Sequence, residues 1–278
     1  MSSILTNSSA MVALATLNNV NMKLNETQNR VSTGLQISSG KDNAAYFAIS
    51  ETMKGDSGMY GSINDGLTST KNSIATARLG AETVADLAEQ FSERVAFAQG
   101  SGVNLADVQS ELDSIVSQIG NAISQATFNG DSLVGGAATQ TIVSGVTRSG
   151  GTFAATTLTF SSVDLGAIQT ALDAVDVVTA GATSQAALQA TLVTAEGQLS
   201  AAISAATSLG VSEKTIEGQQ TFLSSLTDTI DSGVSAMVDA DMEAEAARLQ
   251  ALQVQQQLST QSLSMANQAP QNIMSLFR

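Results

Sequence analysis

Residues 46–98 read YFAISETMKGDSGMYGSINDGLTSTKNSIATARLGAETVADLAEQFSERVAFA. In steps of seven from Tyr46 the chain places Met53, Tyr60, Leu67, Ile74, Ala81, Ala88 and Val95, all apolar. A companion row adds Ile49, Ile63, Ala77, Val84, Phe91 and Ala98, interrupted at Asp56 and Thr70. A seven-residue apolar repeat held this long predicts a coiled-coil seam rather than a globular helix. At 1.5 Å per residue the helix is about 75 Å long.

A matching seam lies near the other end. From Leu188 the same step gives Ala195, Ala202, Leu209, Ile216, Leu223, Ile230 and Met237. Two seams of equal length pair most simply side by side. Between them Leu105, Val108, Leu112, Ile115, Ile119, Ala122 and Ala126 recur at 3,4 spacing and predict a shorter helix, with Asn104 as its N-cap and Asp107 in its first turn. The turn Gly100-Ser101-Gly102 lets that helix double back. Past Phe128-Asn129-Gly130, the β-branched runs Thr139 to Val146 and Thr152 to Phe160 flank Arg148-Ser149-Gly150-Gly151 and predict a β-hairpin. Residues 164–183 are open between a loop and a short helix.

The two ends differ from this middle in charge. No ionisable side chain occurs from Ser2 to Met22 or from Leu249 to Phe277, although the whole chain has a formal net charge of -14. Both ends still keep a helical period. Ala10, Ala13, Leu17, Val20, Leu24 and Val31 share one face, with Thr27 interrupting, until Gly34 and Ser38-Ser39-Gly40. Leu249, Leu252, Leu263 and Ala266 do the same before Pro270, with Gln256 and Ser259 between them. Neither face alternates with a charged one, as it would on a water-exposed helix. Membrane insertion, permanent disorder and burial against other copies are the three readings. Asn, Ser, Gln and Thr break every apolar run, which opposes the first, and aliphatics at helical spacing oppose the second. The third accounts for both, and predicts ends that are disordered in the monomer and helical in a polymer.

Composition removes most chemistry. His, Cys and Trp are absent, and there are one Pro and two Tyr. Without Cys there is no disulfide framework, Cys-ligated metal or thiol nucleophile. Without His the commonest acid–base group and metal ligand are gone. The acidic balance opposes nucleic acid, which is held by clustered Lys and Arg. The N-terminus lacks the basic and apolar regions of a secretory signal. Asp239, Asp241, Glu243 and Glu245 are either a cation site or the N-cap and first-turn acids of a helix; alternate residues do not face one another on a helix, which favours the cap. The hydroxyls of Thr139 to Ser162 have no base to activate them, and on an exterior they are candidates for O-linked sugars. The amides of Gln253-Val254-Gln255-Gln256-Gln257 suit polar positions between packed helices. No catalytic residue, metal ligand or cofactor site is expected.

Arg30-Val31-Ser32-Thr33-Gly34-Leu35-Gln36-Ile37, Lys41-Asp42-Asn43-Ala44-Ala45 and Ala48-Ile49-Ser50 resemble the N-terminal signature of bacterial flagellins. Phe128-Asn129-Gly130 resembles the family's motif after the short helix. Val238-Asp239-Ala240-Asp241-Met242, Leu249-Gln250, Ala266-Asn267-Gln268-Ala269-Pro270-Gln271-Asn272 and Leu276-Phe277 resemble its C-terminal signature. The motifs fall in order over nearly the whole chain.

The resemblance implies a mainly α fold: an elongated coiled-coil-like bundle of two long helices and one short helix with a small β-hairpin, plus N- and C-terminal helices that pair in an assembled filament. Residues 1–40 and 239–278 are the two halves of an inner-tube terminal domain, and 41–45 are a spoke linker carrying Lys41, Asp42 and Asn43. Residues 46–127 hold the long and short helices, 128–182 the hairpin and variable outer region, and 183–238 the returning helix. Self-assembly falls to Leu5, Leu14, Leu17, Val20, Leu24, Val31 and Leu35 at one end and to Leu249, Leu252, Leu258, Leu263, Ala266, Asn267, Leu276 and Phe277 at the other. The implied function is a structural subunit of the hollow extracellular flagellar filament. It would be exported by the flagellar type III apparatus without a cleaved signal peptide, with an export chaperone, hook-associated proteins and cap proteins as partners besides its own copies. Gln90 and Ser92 stand where some flagellins carry the arginines read by an innate immune receptor, which argues against that recognition. A hook-filament junction protein shares both signatures; the small variable region and the match from Ala266 to Phe277 favour flagellin. The cytoplasmic hairpin of a chemoreceptor shares the composition but needs a tight helical tip where this chain has β-branched runs.

Overall fold

The computed structural model describes residues 7–149 and 152–276. Its helices are α1 (Ser8–Thr33), α2 (Ala44–Phe97), α3 (Leu105–Gln125), α4 (Leu165–Asp173), α5 (Val177–Thr183), α6 (Gln185–Val238) and α7 (Met242–Leu276). Two antiparallel ribbons, β1 (Thr127–Phe128) with β2 (Asp131–Ser132) and β3 (Thr139–Ser149) with β4 (Thr152–Ser161), lie between α3 and α4. The chain divides into two compact units, residues 58–227 and residues 1–57 with 228–278.

In the unit 58–227 the two seams meet. Leu67, Ile74, Ala81, Ala88 and Val95 of α2 are buried in one core with Leu188, Ala195, Ala202, Leu209, Ile216 and Leu223 of α6. The alternation of Ala with Leu and Ile is what lets two long helices approach closely along their length. Val108, Leu112, Ile115 and Ile119 of α3 close one side of this core. The approach is tight: a methyl group on Gly80 of α2 would run into Ala126 at the end of α3. Asn104 caps α3 by accepting from the Ala106 N–H at 3.2 Å, as its sequence predicts.

Residues 164–183 form two short helices, each started by an aspartate. Asp164 accepts from the Ala167 N–H and Asp176 from the Thr179 N–H, both at 2.9 Å. Leu165, Ile168 and Leu172 anchor α4 in the core, and Val177 anchors α5. The hairpin is present, with a bulge between Val143 and Gly145. The Tyr60 hydroxyl donates to the Val146 carbonyl at 2.9 Å and the Gln219 amide to the Ser144 carbonyl at 2.8 Å, fixing the hairpin to α2 and α6. The smaller ribbon β1–β2 was not expected. It turns on Asn129 and Gly130, both at positive φ (52° and 88°), the backbone that a two-residue turn of this kind requires.

The seam of α2 departs from expectation at its start. Tyr46 and Ile49 are exposed and Met53, Tyr60 and Ile63 half-buried; full burial begins at Leu67. The elements that close the core, α3 to α5 and the ribbons, all belong to the unit 58–227, whereas residues 46–57 belong to the other. In that other unit α1 packs against α7. α7 runs past Pro270 to Leu276.

Candidate assembly interface

α1 begins at Asn7, whose side-chain oxygen accepts from the Ala10 N–H at 3.1 Å, and ends at Gly34 (φ 73°), whose N–H returns to the Arg30 carbonyl. Thr27 is buried at the α1–α7 contact, with Val20 and Leu252. Leu17, Leu24, Val31, Leu249, Leu263 and Ala266 are half-buried around them. Gln256 and Ser259, which interrupt the apolar row of α7, also lie half-buried, and the Gln256 amide donates to the Asn21 side-chain oxygen at 2.7 Å. The other glutamines of that run, Gln253, Gln255 and Gln257, are exposed.

Asn7 has a second bond. Its side-chain N–H donates to the carbonyl of Ala266 at 2.7 Å. That carbonyl is the one a helix would pair with the N–H of residue 270, and Pro270 has none. One side chain thus caps the start of α1 and satisfies the backbone group that the proline leaves open in α7, which is how the helix passes Pro270.

At the other end of the pair the charges gather. Glu245 is buried, and its Oε1 accepts from Arg248 Nη1 at 2.7 Å and lies 3.4 Å from Arg30 Nη1, while Arg30 also holds Glu26 at 2.6 Å. Glu245 therefore belongs to a helix-pair ion cluster, and Asp241 caps α7 by accepting from the Glu243 and Ala244 N–H groups at 3.0 and 3.1 Å. Among the described residues no group of His, Cys, Asp or Glu is placed to hold a metal ion, and no helix is long and apolar enough to cross a membrane. The connectors are stitched backbone to backbone: Gln36 N–H to Val238 C=O at 2.7 Å and Ala240 N–H to Gly34 C=O at 2.9 Å, with Leu35 opposite Asp239.

Between the connector and α2 the chain makes a hard turn. Asp42 Oδ2 accepts from the N–H and hydroxyl of Ser38 (3.1 and 3.2 Å) and of Ser39 (3.0 and 3.1 Å). The Ser38 N–H foremost, then the Ser39 hydroxyl, hold this carboxyl below the ordinary aspartate value, partly opposed by desolvation. Asn43 caps α2 by accepting from Ala45 and Tyr46 N–H groups, and Lys41 is exposed.

The remaining assembly candidates lie elsewhere. Leu35 is half-buried at the connector; Leu14, Leu258 and Asn267 are exposed; Leu5 and Phe277 lie outside the described residues, and Leu276 ends α7. Leu14 and Leu258 have company. Met11, Val12 and Met22 of α1 and Val254 and Met265 of α7 are all exposed. At about 100° per residue, Met11 and Met22 fall about 180° round α1 from its packed row, and Val254, Leu258 and Met265 about 150° round α7 from its own. α7 therefore carries a second apolar stripe, and α1 carries exposed apolar groups away from its packed row, Met11 and Met22 opposite it and Val12 and Leu14 about 100° to either side; the chain itself covers only the packed rows. The signal in the sequence was the missing charge, since a second apolar azimuth leaves no face for it.

A family model described as the bacterial flagellin N-terminal helical region matches residues 4–139, and the bacterial flagellin C-terminal helical region matches residues 192–277. A flagellin of Brucella melitensis biotype 1 is 39% identical over 281 residues, covering 100% of both chains. This chain belongs to the bacterial flagellin family. Flagellin FljM of Caulobacter vibrioides is 36% identical, with 100% of this chain and 99% of that one covered, and flagellin C of Rhizobium meliloti (strain 1021) is 32% identical with 100% of both covered. A flagellin is a structural protein, a subunit that polymerises into the extracellular filament of the flagellum. Full-length likeness to flagellins does not favour the hook-filament junction or the chemoreceptor hairpin.

Proposed function

We propose that the uncovered stripes of α1 and α7 are the surfaces through which one subunit seats against several further copies in the filament, without any catalytic step. The observation that carries the reading is the exposed apolar side chains on the charge-free lengths of these helices, Met11, Val12, Leu14 and Met22 on α1 and Val254, Leu258 and Met265 on α7. Large exposed apolar patches mark contact surfaces, and uncharged flanks let them be covered without trapping an unpaired ion. The packed row, from Leu17 to Val31 and from Leu249 to Ala266, sets the spacing of the two helices, and the turn at Lys41 to Asn43 serves as the spoke.

Such stripes need cover before assembly, which supports an export chaperone as an early partner and the cap and hook-associated proteins as later ones. Export through the flagellar type III apparatus without a cleaved signal completes the reading and rests on family membership. Leu258→Glu and Val12→Glu test it, since each places a charge on an uncovered stripe and leaves the packed row intact. Both proteins keep the helical content of the wild type by circular dichroism and give no long filaments by electron microscopy. Filaments of normal length at wild-type concentrations would overturn the reading.

A further inference from the structure

The nine methionines of the chain are not spread evenly. Met59 alone falls in the unit 58–227, and residues 60–236 contain none. That unit fills its core with Leu, Ile, Val, Ala and Phe, the side chains with defined rotamers. The described methionines that are most exposed are Met11 (61%), Met22 (61%) and Met265 (66%), and all three stand on the uncovered stripes. Met53 and Met237, on the inner faces of α2 and α6, are half-buried, and the Met53 methyl group lies against Gly233.

A thioether is a polarizable, unbranched group that adapts to more than one packing, which suits a surface meeting several copies. It is also open to oxidation. We propose that Met11, Met22 and Met265 are a reversible modification site, at which peroxide oxidation of the unassembled subunit blocks polymerisation and assembly shields the sulfurs. The proposal rests on the reading of the stripes as contacts with further copies. In the step, the thioether sulfur attacks one oxygen of hydrogen peroxide; the O–O bond breaks, an S–O bond forms, and the sulfur loses two electrons as the peroxide is reduced to water. The product is a polar, chiral sulfoxide on a stripe that must be desolvated, and reduction by sulfoxide reductases restores the thioether.

The test treats full-length monomer and preformed filament with hydrogen peroxide and locates the added oxygen by peptide mass spectrometry. Met11, Met22 and Met265 take up oxygen in the monomer faster than Met53 and Met237, and are protected in the filament. Oxidised monomer needs a roughly tenfold higher concentration to polymerise, and treatment with the two epimer-specific sulfoxide reductases and a dithiol returns it to the starting value. The triple variant Met11→Leu, Met22→Leu, Met265→Leu polymerises and is indifferent to peroxide. A triple variant still blocked by peroxide, or equal oxidation of the three sulfurs in monomer and filament, would overturn the proposal. Failure of the stripe reading shows separately, as normal filaments from Leu258→Glu.

Discussion

Replacing Asn7 by alanine removes two bonds at once. The acceptor that caps α1 is lost, at a cost of about 1 kcal/mol. So is the donor to the Ala266 carbonyl, and a part-buried carbonyl left without a partner costs about another 1 kcal/mol. With 1.4 kcal/mol per factor of ten, the total of roughly 2 kcal/mol per subunit raises the monomer concentration in equilibrium with filament about 30-fold. Pro270→Ala separates the two contributions, because residue 270 then supplies its own N–H to Ala266 and α7 closes its own ladder. In that background Asn7→Ala costs only the cap, and the rise shrinks to about fivefold. Asn7→Ser keeps a cap acceptor but loses the amide donor, so in the Pro270 protein it reproduces only the second half of the effect. The assay is sedimentation of polymer from monomer over a concentration series for the four proteins of the cycle. If Asn7→Ala costs the same with Pro270 and with alanine there, the two residues are uncoupled, and the account of how α7 passes its proline is wrong.

Gly80→Ala forces α2 away from the end of α3, and overpacking of this kind lowers the stability of the unit 58–227 by about 1–3 kcal/mol; a thermal melt no lower than wild type would contradict the close approach. Because the folded-state value of Asp42 is depressed, its contribution to the turn is complete above the ordinary aspartate value and is lost as pH falls through the lower folded one. A carboxyl-detected NMR titration shows this low midpoint moving part of the way up in Ser38→Ala/Ser39→Ala, which removes the two hydroxyl donors and keeps the two backbone ones, and an unchanged midpoint would exclude the hydroxyls as a cause. In hydrogen exchange, amides of residues 8–33 and 249–268 exchange quickly in isolated monomer and slowly in filament, while Leu67 to Val95 and Leu209 to Leu223 are protected in both; strong protection of 8–33 in monomer would refute coupled folding and assembly.

The seams were legible because their period is unambiguous: every seventh residue from Leu67 to Val95 and from Leu188 to Leu223 is apolar and buried. The terminal helices were harder for a physical reason. Thr27, Gln256 and Ser259 read as breaks in an apolar row, yet Thr27 is buried and the other two half-buried on the packed face, where the Gln256 amide reaches Asn21 across the contact. The exposed methionines and valines at the opposite azimuth blurred the same period. The bridge from Gly34–Gln36 to Val238–Ala240 uses backbone groups only, and so leaves no mark in side-chain pattern. How α7 passes Pro270 was not legible either, because the side chain that satisfies the Ala266 carbonyl lies 263 positions from that proline, at Asn7.

These features share a cause. A helix in a single folded chain needs one apolar face and a charged one, and the charge-free lengths of α1 and α7 instead carry apolar groups both on the packed row and away from it, with amides and hydroxyls between them. Amides and hydroxyls both donate and accept, so a neighbouring copy can meet them in more than one register without stranding a charge, while thioethers repack at small cost. The ion cluster of Arg30, Glu245 and Arg248 cannot adapt in this way, because each shift would leave a charge unpaired. It lies at the connector end of the helix pair, where the two strands of chain are also stitched by backbone bonds. The register of the helix pair is thus fixed at one end of α1 and α7, and under the proposed reading their uncharged length is what accommodates contacts with several further copies.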